Sequence, residues 1–123
     1  MDAALQQARY INLTTFRKDG RAVGTAVWMA PLGGKLYLYT SATAGKTKRI
    51  RTTSKVRVAP SDYRGKPIGG WSEGQGRIVS EAAVVRAFND AMAKKYGLQH
   101  YMVRFLSWIT RTQDQRIVIE LTV

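Results

Sequence analysis

Between Tyr10 and Thr40 the chain writes three short β-type runs, each closed by a turn, and this spacing limits the fold more than any other feature. Tyr10 to Phe16 alternates with period two, placing Ile11, Leu13 and Thr15 on one face and Tyr10, Asn12, Thr14 and Phe16 on the other. Lys18-Asp19-Gly20 follows, and Asp-Gly between β-rich runs is a strong hairpin signal. The return run, Arg21 to Ala30 (RAVGTAVWMA), stops at Pro31, and Gly33-Gly34 turns the chain into Lys35 to Thr40. Parallel neighbours need a crossover of about a dozen residues or more, which these turns cannot supply. The spacing therefore predicts an antiparallel three-stranded meander.

The remainder extends that pattern. Asp2 to Ala8 has helical composition over one or two turns. Gly45 to Thr53 reads as a short helix with Ile50 inward and Lys46 and Arg49, three apart, on one face. Lys55 to Ala59 (KVRVA) is a strand ended by Pro60, Ser61 to Gly70 a loop, and Trp71 to Val79 a further strand. Gly74 and Gly76 in that strand point to a bend, a bulge or the close approach of another backbone. Ser80 is the expected N-cap, with Glu81 on the positive end of the dipole of a helix carrying Val84, Val85, Phe88, Met92 and Tyr96 at helical spacing and ending at Gly97. Leu98 to Thr110 repeats the helical pattern through Tyr101, Met102, Phe105, Leu106 and Ile109, and Gln115 to Val123 closes as a strand. The order βββαββααβ predicts a mainly β fold, an antiparallel sheet curled into a barrel, in one domain spanning 1–123.

Composition removes several kinds of chemistry. With no cysteine, thiolate metal sites and cysteine nucleophiles are excluded, and His100, the only histidine, reads as a helix-surface or packing residue. Triads fail for the same scarcity. Neither a secretory leader nor a run of about 20 apolar residues is present, so the expected location is cytoplasmic, with no membrane partner. Lys and Arg total 20 against 8 Asp and Glu, a formal charge of +12, which calls for an anionic partner.

The stretch TSATAGKTKR, residues 40–49, follows the strand KLYLY and comes close to the phosphate-binding pattern G-x-x-x-x-G-K-S/T, with Thr40 where the first glycine belongs. Triphosphatases with that loop need a parallel α/β sheet and a metal-binding aspartate on a second strand, for which Asp62 is a poor stand-in. The electrostatic part of the motif survives: a helix start with Lys46, Lys48 and Arg49 can bind phosphate.

The segments YINLTTFRKDGRAVGTAVWMA, KLYLYTSATAGKTKRIR, KVRVAPSDYRGKPIGGW and KKYGLQHYMVRFLSWI, in that order, resemble the flavin- and deazaflavin-dependent oxidoreductases of the pyridoxamine-phosphate-oxidase-like split β-barrel superfamily, and most of all its small actinobacterial branch that uses coenzyme F420. The resemblance implies a homodimer of split barrels with a cofactor in each groove between subunits. It places Thr25, Ala26, Val27, Trp28 and Met29 along the ring system, largely through backbone groups, and Thr40, Ser41, Gly45 and Lys46 around the phosphate. Lys48, Arg49 and Arg51 join the site by charge.

A deazaflavin coenzyme carries a phosphodiester and a chain of glutamates where flavin mononucleotide (FMN) has one phosphate. Between Lys46 and Lys66 stand eight basic residues against the single acid Asp62, an excess that suits a long polyanionic tail, although a basic run is also an ordinary solvated face. Hydride transfer is the cofactor's chemistry, so the lack of protein acids and bases is expected and a small organic molecule would be the substrate. Trp28, Tyr63 and Trp71 are candidates for groove walls or core, Glu73 for the groove or an outward position, and Trp108 for packing or the dimer contact. The rivals are an FMN enzyme or haem binder of the same fold and a basic nucleic-acid module. The last lacks any RNA-binding aromatic or helix-turn-helix pattern, so no nucleic-acid partner is expected.

Overall fold

A computed structural model describes residues 3–41, 44–97 and 116–123. Among the described residues seven strands and three helices follow in the order α1 (Ala3–Gln7), β1 (Tyr10–Phe16), β2 (Ala22–Val27), β3 (Ala30–Leu32), β4 (Lys35–Ser41), α2 (Gly45–Thr52), β5 (Lys55–Ser61), β6 (Ser72–Val79), α3 (Ala82–Tyr96) and β7 (Arg116–Thr122). The helical pattern expected over 98–110, with His100, Phe105 and Trp108, lies outside the described residues. No helix among the described residues is long and apolar enough to cross a membrane.

All pairings are antiparallel, in the order β2-β1-β5-β6-β7-β4-β3. That sheet also leaves the triphosphatase reading without the parallel strands it requires. The two edge strands, β2 and β3, are consecutive in the chain. The run read as one strand over 21–30 is therefore broken at Trp28 and Met29, pairing with β1 before the break and with β4 after it. A sheet whose edges are two halves of one short segment has to curl, and the result is a split barrel. Local sequence could not reveal the break, because no glycine or proline marks it at Trp28 and Met29.

The first hairpin forms as its Asp-Gly signal requires. Arg17 and Arg21 bond through their backbones at 2.8 Å around Lys18-Asp19-Gly20, and Gly20 takes φ +91°, open chiefly to glycine. Register then sorts the faces. Ile11, Leu13, Leu36, Leu38, Val56, Val58, Ile119 and Leu121 fill the barrel, with Leu5 of α1 and Ile50 of α2 packed into it. The two glycines of β6 leave that interior room: a β-carbon on Gly74 would fall on the carbonyl oxygen of Thr122, and one on Gly76 would meet Ile50 Cδ1 at 3.2 Å. Close backbone approach is thus the correct reading of Gly74.

Helix α3 covers the outer face of the β3-β4-β7-β6 side through Phe88, Met92 and Tyr96, against Ala30, Tyr37, Val79 and Val118. Its N-cap is Glu81 rather than Ser80, and no side chain bonds the first turn. Glu81 instead faces Arg77 at 3.4 Å, and Gly97, at φ +82°, ends the helix as expected.

On the same outer face Glu120 of β7 is buried between its cross-strand neighbours. Its carboxylate accepts from the Tyr37 hydroxyl at 2.9 Å, Arg77 Nη2 at 3.2 Å and Lys35 Nζ at 3.3 Å. Bonding by Arg77 holds its pKa below the ordinary carboxylate value, against the opposing effect of burial and with help from Tyr37 and Lys35. A depressed folded-state pKa contributes stability above the unfolded value near 4.5, and loses it as pH falls through the folded one. Urea midpoints should therefore drop on acidification below about pH 5, and Glu120→Gln should flatten that drop. An identical acid limb in the variant would remove Glu120 as its source.

Candidate functional site: a cationic corner around the second helix

The β4–α2 corner is built from the residues that resemble a phosphate loop. Thr40 is buried at the end of β4. The Thr47 hydroxyl donates to the Ser41 carbonyl at 2.7 Å, so the threonine after Lys46 locks helix to strand. Ala44 stands at the N-cap and offers no side-chain acceptor. The first N–H groups of α2 consequently have no side-chain cap among the described residues, at the positive end of the helix dipole.

Lys46 sits half-buried in that first turn. No carboxylate bonds its ammonium among the described residues, and burial first, then the charge of Arg49, pushes its pKa down. An ammonium desolvated without a counter-ion is an arrangement that an anion would relieve. Arg49 turns toward the barrel, donating from Nε to the buried Thr15 hydroxyl at 2.6 Å. Its pKa is also pushed down, by burial and then by Arg17. Lys48 and Arg51 are exposed on the same helix.

The expected ring-binding segment lies elsewhere on the barrel wall. Thr25, Ala26 and Val27 are half-buried on β2, with Thr25 opposite Leu13 and its hydroxyl buried without a partner among the described residues. Trp28 stacks on Tyr96 at 4.3 Å and 6°, packing α3 onto the barrel instead of standing open. Met29 is fully buried. Its N–H is accepted by the Tyr96 hydroxyl at 3.2 Å, and its carbonyl accepts from Lys95 and Tyr96, both at 2.9 Å. The strand break is thus held by α3, a role that neither Lys95 nor Tyr96 announces in the sequence.

Of the other aromatics, Tyr63 and Trp71 are exposed, each with a guanidinium over its ring, Arg64 at 5.3 Å and Arg57 at 4.6 Å. Asp62 organises its own loop, its Oδ1 accepting from the backbone N–H groups of Arg64 and Lys66 at 2.9 Å each. Glu73 is exposed opposite Arg57. Among the described residues no three His, Cys, Asp or Glu side chains gather to hold a metal.

Sequence reasoning missed the first hairpin as part of this corner. Its residues Phe16, Arg17, Lys18, Asp19 and Arg21 face α2 across an open cleft of about 420 Å³. The signal was the basic turn R-K-D-G-R, but only the register of β1 against β5 and the seating of α2 bring it beside Lys48.

An antiparallel split barrel with a cationic corner at its strand-to-helix turn defines a class of cofactor-binding folds. The pyridoxamine 5'-phosphate oxidase family profile matches residues 1–123, and the chain belongs to that family. Its structure is similar to that of the conserved hypothetical protein Rv2991 from Mycobacterium tuberculosis, with TM-score 0.72 and 22% identity over 98% of this chain and 79% of the other. It also resembles a candidate pyridoxamine 5'-phosphate oxidase from Listeria innocua (TM-score 0.64, 17% identity, 97% and 86% covered). HutZ, the haem storage protein from Vibrio cholerae, is a further likeness (TM-score 0.71, 11% identity, 96% and 83% covered). At these identities the likeness is one of fold. No curated protein matches the sequence.

Proposed function

We propose that this chain is an oxidoreductase that binds the deazaflavin coenzyme F420 and serves hydride transfer between it and a small organic substrate. The observation that carries the reading is the half-buried Lys46 ammonium, without a carboxylate partner among the described residues, beside the uncapped start of α2. The phosphodiester would lie there with Thr40, Ser41 and Gly45, and the glutamate tail would run toward Lys48, Arg49 and Arg51. When bound, the deazaflavin ring supplies the hydride chemistry. The protein's own part is to place the ring along Thr25 to Trp28 and to exclude water, which needs no acid, base or metal from the chain. Met29, with both backbone groups engaged inside, would support this strand from behind.

The same cradle fits the single phosphate of FMN, a reading favoured by the family to which the chain belongs. Titration of each ligand separates them: F420 should bind more tightly, with a preference that grows with glutamate number and shrinks in salt. Tighter FMN binding would replace F420 in the proposal. A charged hydrogen bond to phosphate contributes roughly 1.5–3 kcal/mol, so Lys46→Ala should weaken either ligand about ten- to a hundredfold. Unchanged affinity would take Lys46 out of the site. The groove would be completed by a second copy of the chain, and sedimentation at micromolar concentration should give a dimer.

A further inference from the structure

We infer that the cleft between the first hairpin and α2 is a second anion site, separate from the Lys46 cradle, for a compact polyanion such as an oligophosphate or a tricarboxylate. On the helix side, Gly45, Lys48, Arg49 and Thr52 recur at i, i+3, i+4 and i+7 and so share one face. Across from them the hairpin presents Arg17, Lys18 and Arg21, with Phe16 as an apolar wall. Lys46 is not among the lining residues.

Charge accounting identifies the ligand class. Five cations line the cleft against one acid, Asp19, and that acid is already bonded to Arg21 Nε at 2.8 Å. Arg17, Lys18, Lys48 and Arg49 are left without a carboxylate partner among the described residues. Arg49 bonds only a neutral hydroxyl, that of Thr15, and it feels the charge of Arg17. Like charges converging on one concavity repel unless an anion lies between them. A single negative group would leave most of this repulsion in place, so the site should select ligands with two or more. The cleft volume, about 420 Å³, falls within the roughly 300–1,000 Å³ of small-molecule pockets. Guanidinium forks from Arg17 and Arg49 suit phosphate or carboxylate oxygens.

The cleft shares Gly45, Lys48 and Arg49 with the proposed coenzyme site, and Arg17, Lys18 and Arg21 of the hairpin are its own, so its test is made without a ring ligand. Inorganic tripolyphosphate, titrated calorimetrically into the full chain, is the probe, with citrate as the carboxylate arm and orthophosphate as the single-anion control. Saturable one-to-one binding of tripolyphosphate is expected, with orthophosphate at least about tenfold weaker. Arg17→Ala combined with Lys48→Ala should weaken tripolyphosphate about tenfold or more, and both substitutions are at exposed positions, so folding should survive. Lys66→Ala should leave binding within about twofold, and in the Lys46→Ala chain, with the cradle silenced, tripolyphosphate binding should remain saturable. Binding that never saturates, or that falls equally with Lys66→Ala, would show a diffuse basic surface and overturn the site. Loss with Lys46→Ala alone would place the anion in the cradle and overturn it too. Competition by F420 that Arg17→Ala abolishes would assign the cleft to the distal carboxylates of a cradle-bound ligand, and simultaneous binding would assign it to a free polyanion. Either result supports the site.

Discussion

Replacing Phe88 with alanine should cost about 3–5 kcal/mol of folding stability, the range for truncating a buried aromatic ring that its surroundings cannot refill. The ring has no exposed surface and stands edge-on to Tyr39, centroids 4.6 Å apart at 62°, with Tyr37 at 6.3 Å. It is the largest fully buried side chain of the layer between α3 and the sheet, and its neighbours there, Met92 and Val118, are anchored by the backbone of their own elements. The loss should spread beyond the cavity. Helix α3 also delivers Lys95 and Tyr96 to the strand break, so a loosened α3 should disturb the Trp28–Tyr96 stack. A lower urea midpoint together with reduced near-ultraviolet dichroism is the expected pair of results. A loss below about 1 kcal/mol would mean that α3 contributes little to this core.

Which parts of this arrangement the sequence discloses follows from the range of the forces involved. Local signals are legible: the hairpin at Asp19-Gly20, the alternation of Ile11, Leu13 and Thr15, and the apolar stripe of α3 that ends at Gly97 all correspond to structure. The barrel class followed from turn spacing, which permits only antiparallel neighbours. Features that depend on pairing between distant segments were not legible. The run from Arg21 to Ala30 reads as one strand because no turn residue interrupts it at Trp28 and Met29, and only the positions of β1 and β4 divide it. The cationic corner was half legible. Lys46, Lys48 and Arg49 are adjacent in sequence, but Arg17 and Lys18 join them through a register that no local pattern encodes. Trp28 illustrates the same limit. Its size and strand position fit a groove wall or a core, and its stack on Tyr96, 68 residues later, is a contact that no local pattern announces.

Tyr96→Phe should then destabilise the protein by about 1–3 kcal/mol while removing a single oxygen, because that oxygen is the acceptor for a buried backbone N–H at the strand break. The hydroxyl's single proton is shared between the carbonyls of Arg9 at 2.7 Å and Met29 at 2.9 Å, and its oxygen accepts the Met29 N–H at 3.2 Å. Phenylalanine would leave that N–H buried without an acceptor, whereas the Met29 carbonyl would keep its bond from Lys95. The pH profile carries a signature that a lost ring contact would not. Burial first, then Arg9, pushes Lys95 from its ordinary 10.5 down to about 8. The unfolded chain therefore holds the extra proton between those values, and stability rises with pH across that window. Burial raises Tyr96 from 10.0 to about 12, so above pH 10 the unfolded chain loses its proton first and stability falls. Lys95→Met should abolish the rise and Tyr96→Phe the fall, each read as the difference from the parent chain in urea midpoints between about pH 7 and pH 11. Parallel profiles for parent and both variants would show that these two side chains do not hold the strand. The backbone of Met29 would then need another source of hydrogen bonds for the barrel to close where it does.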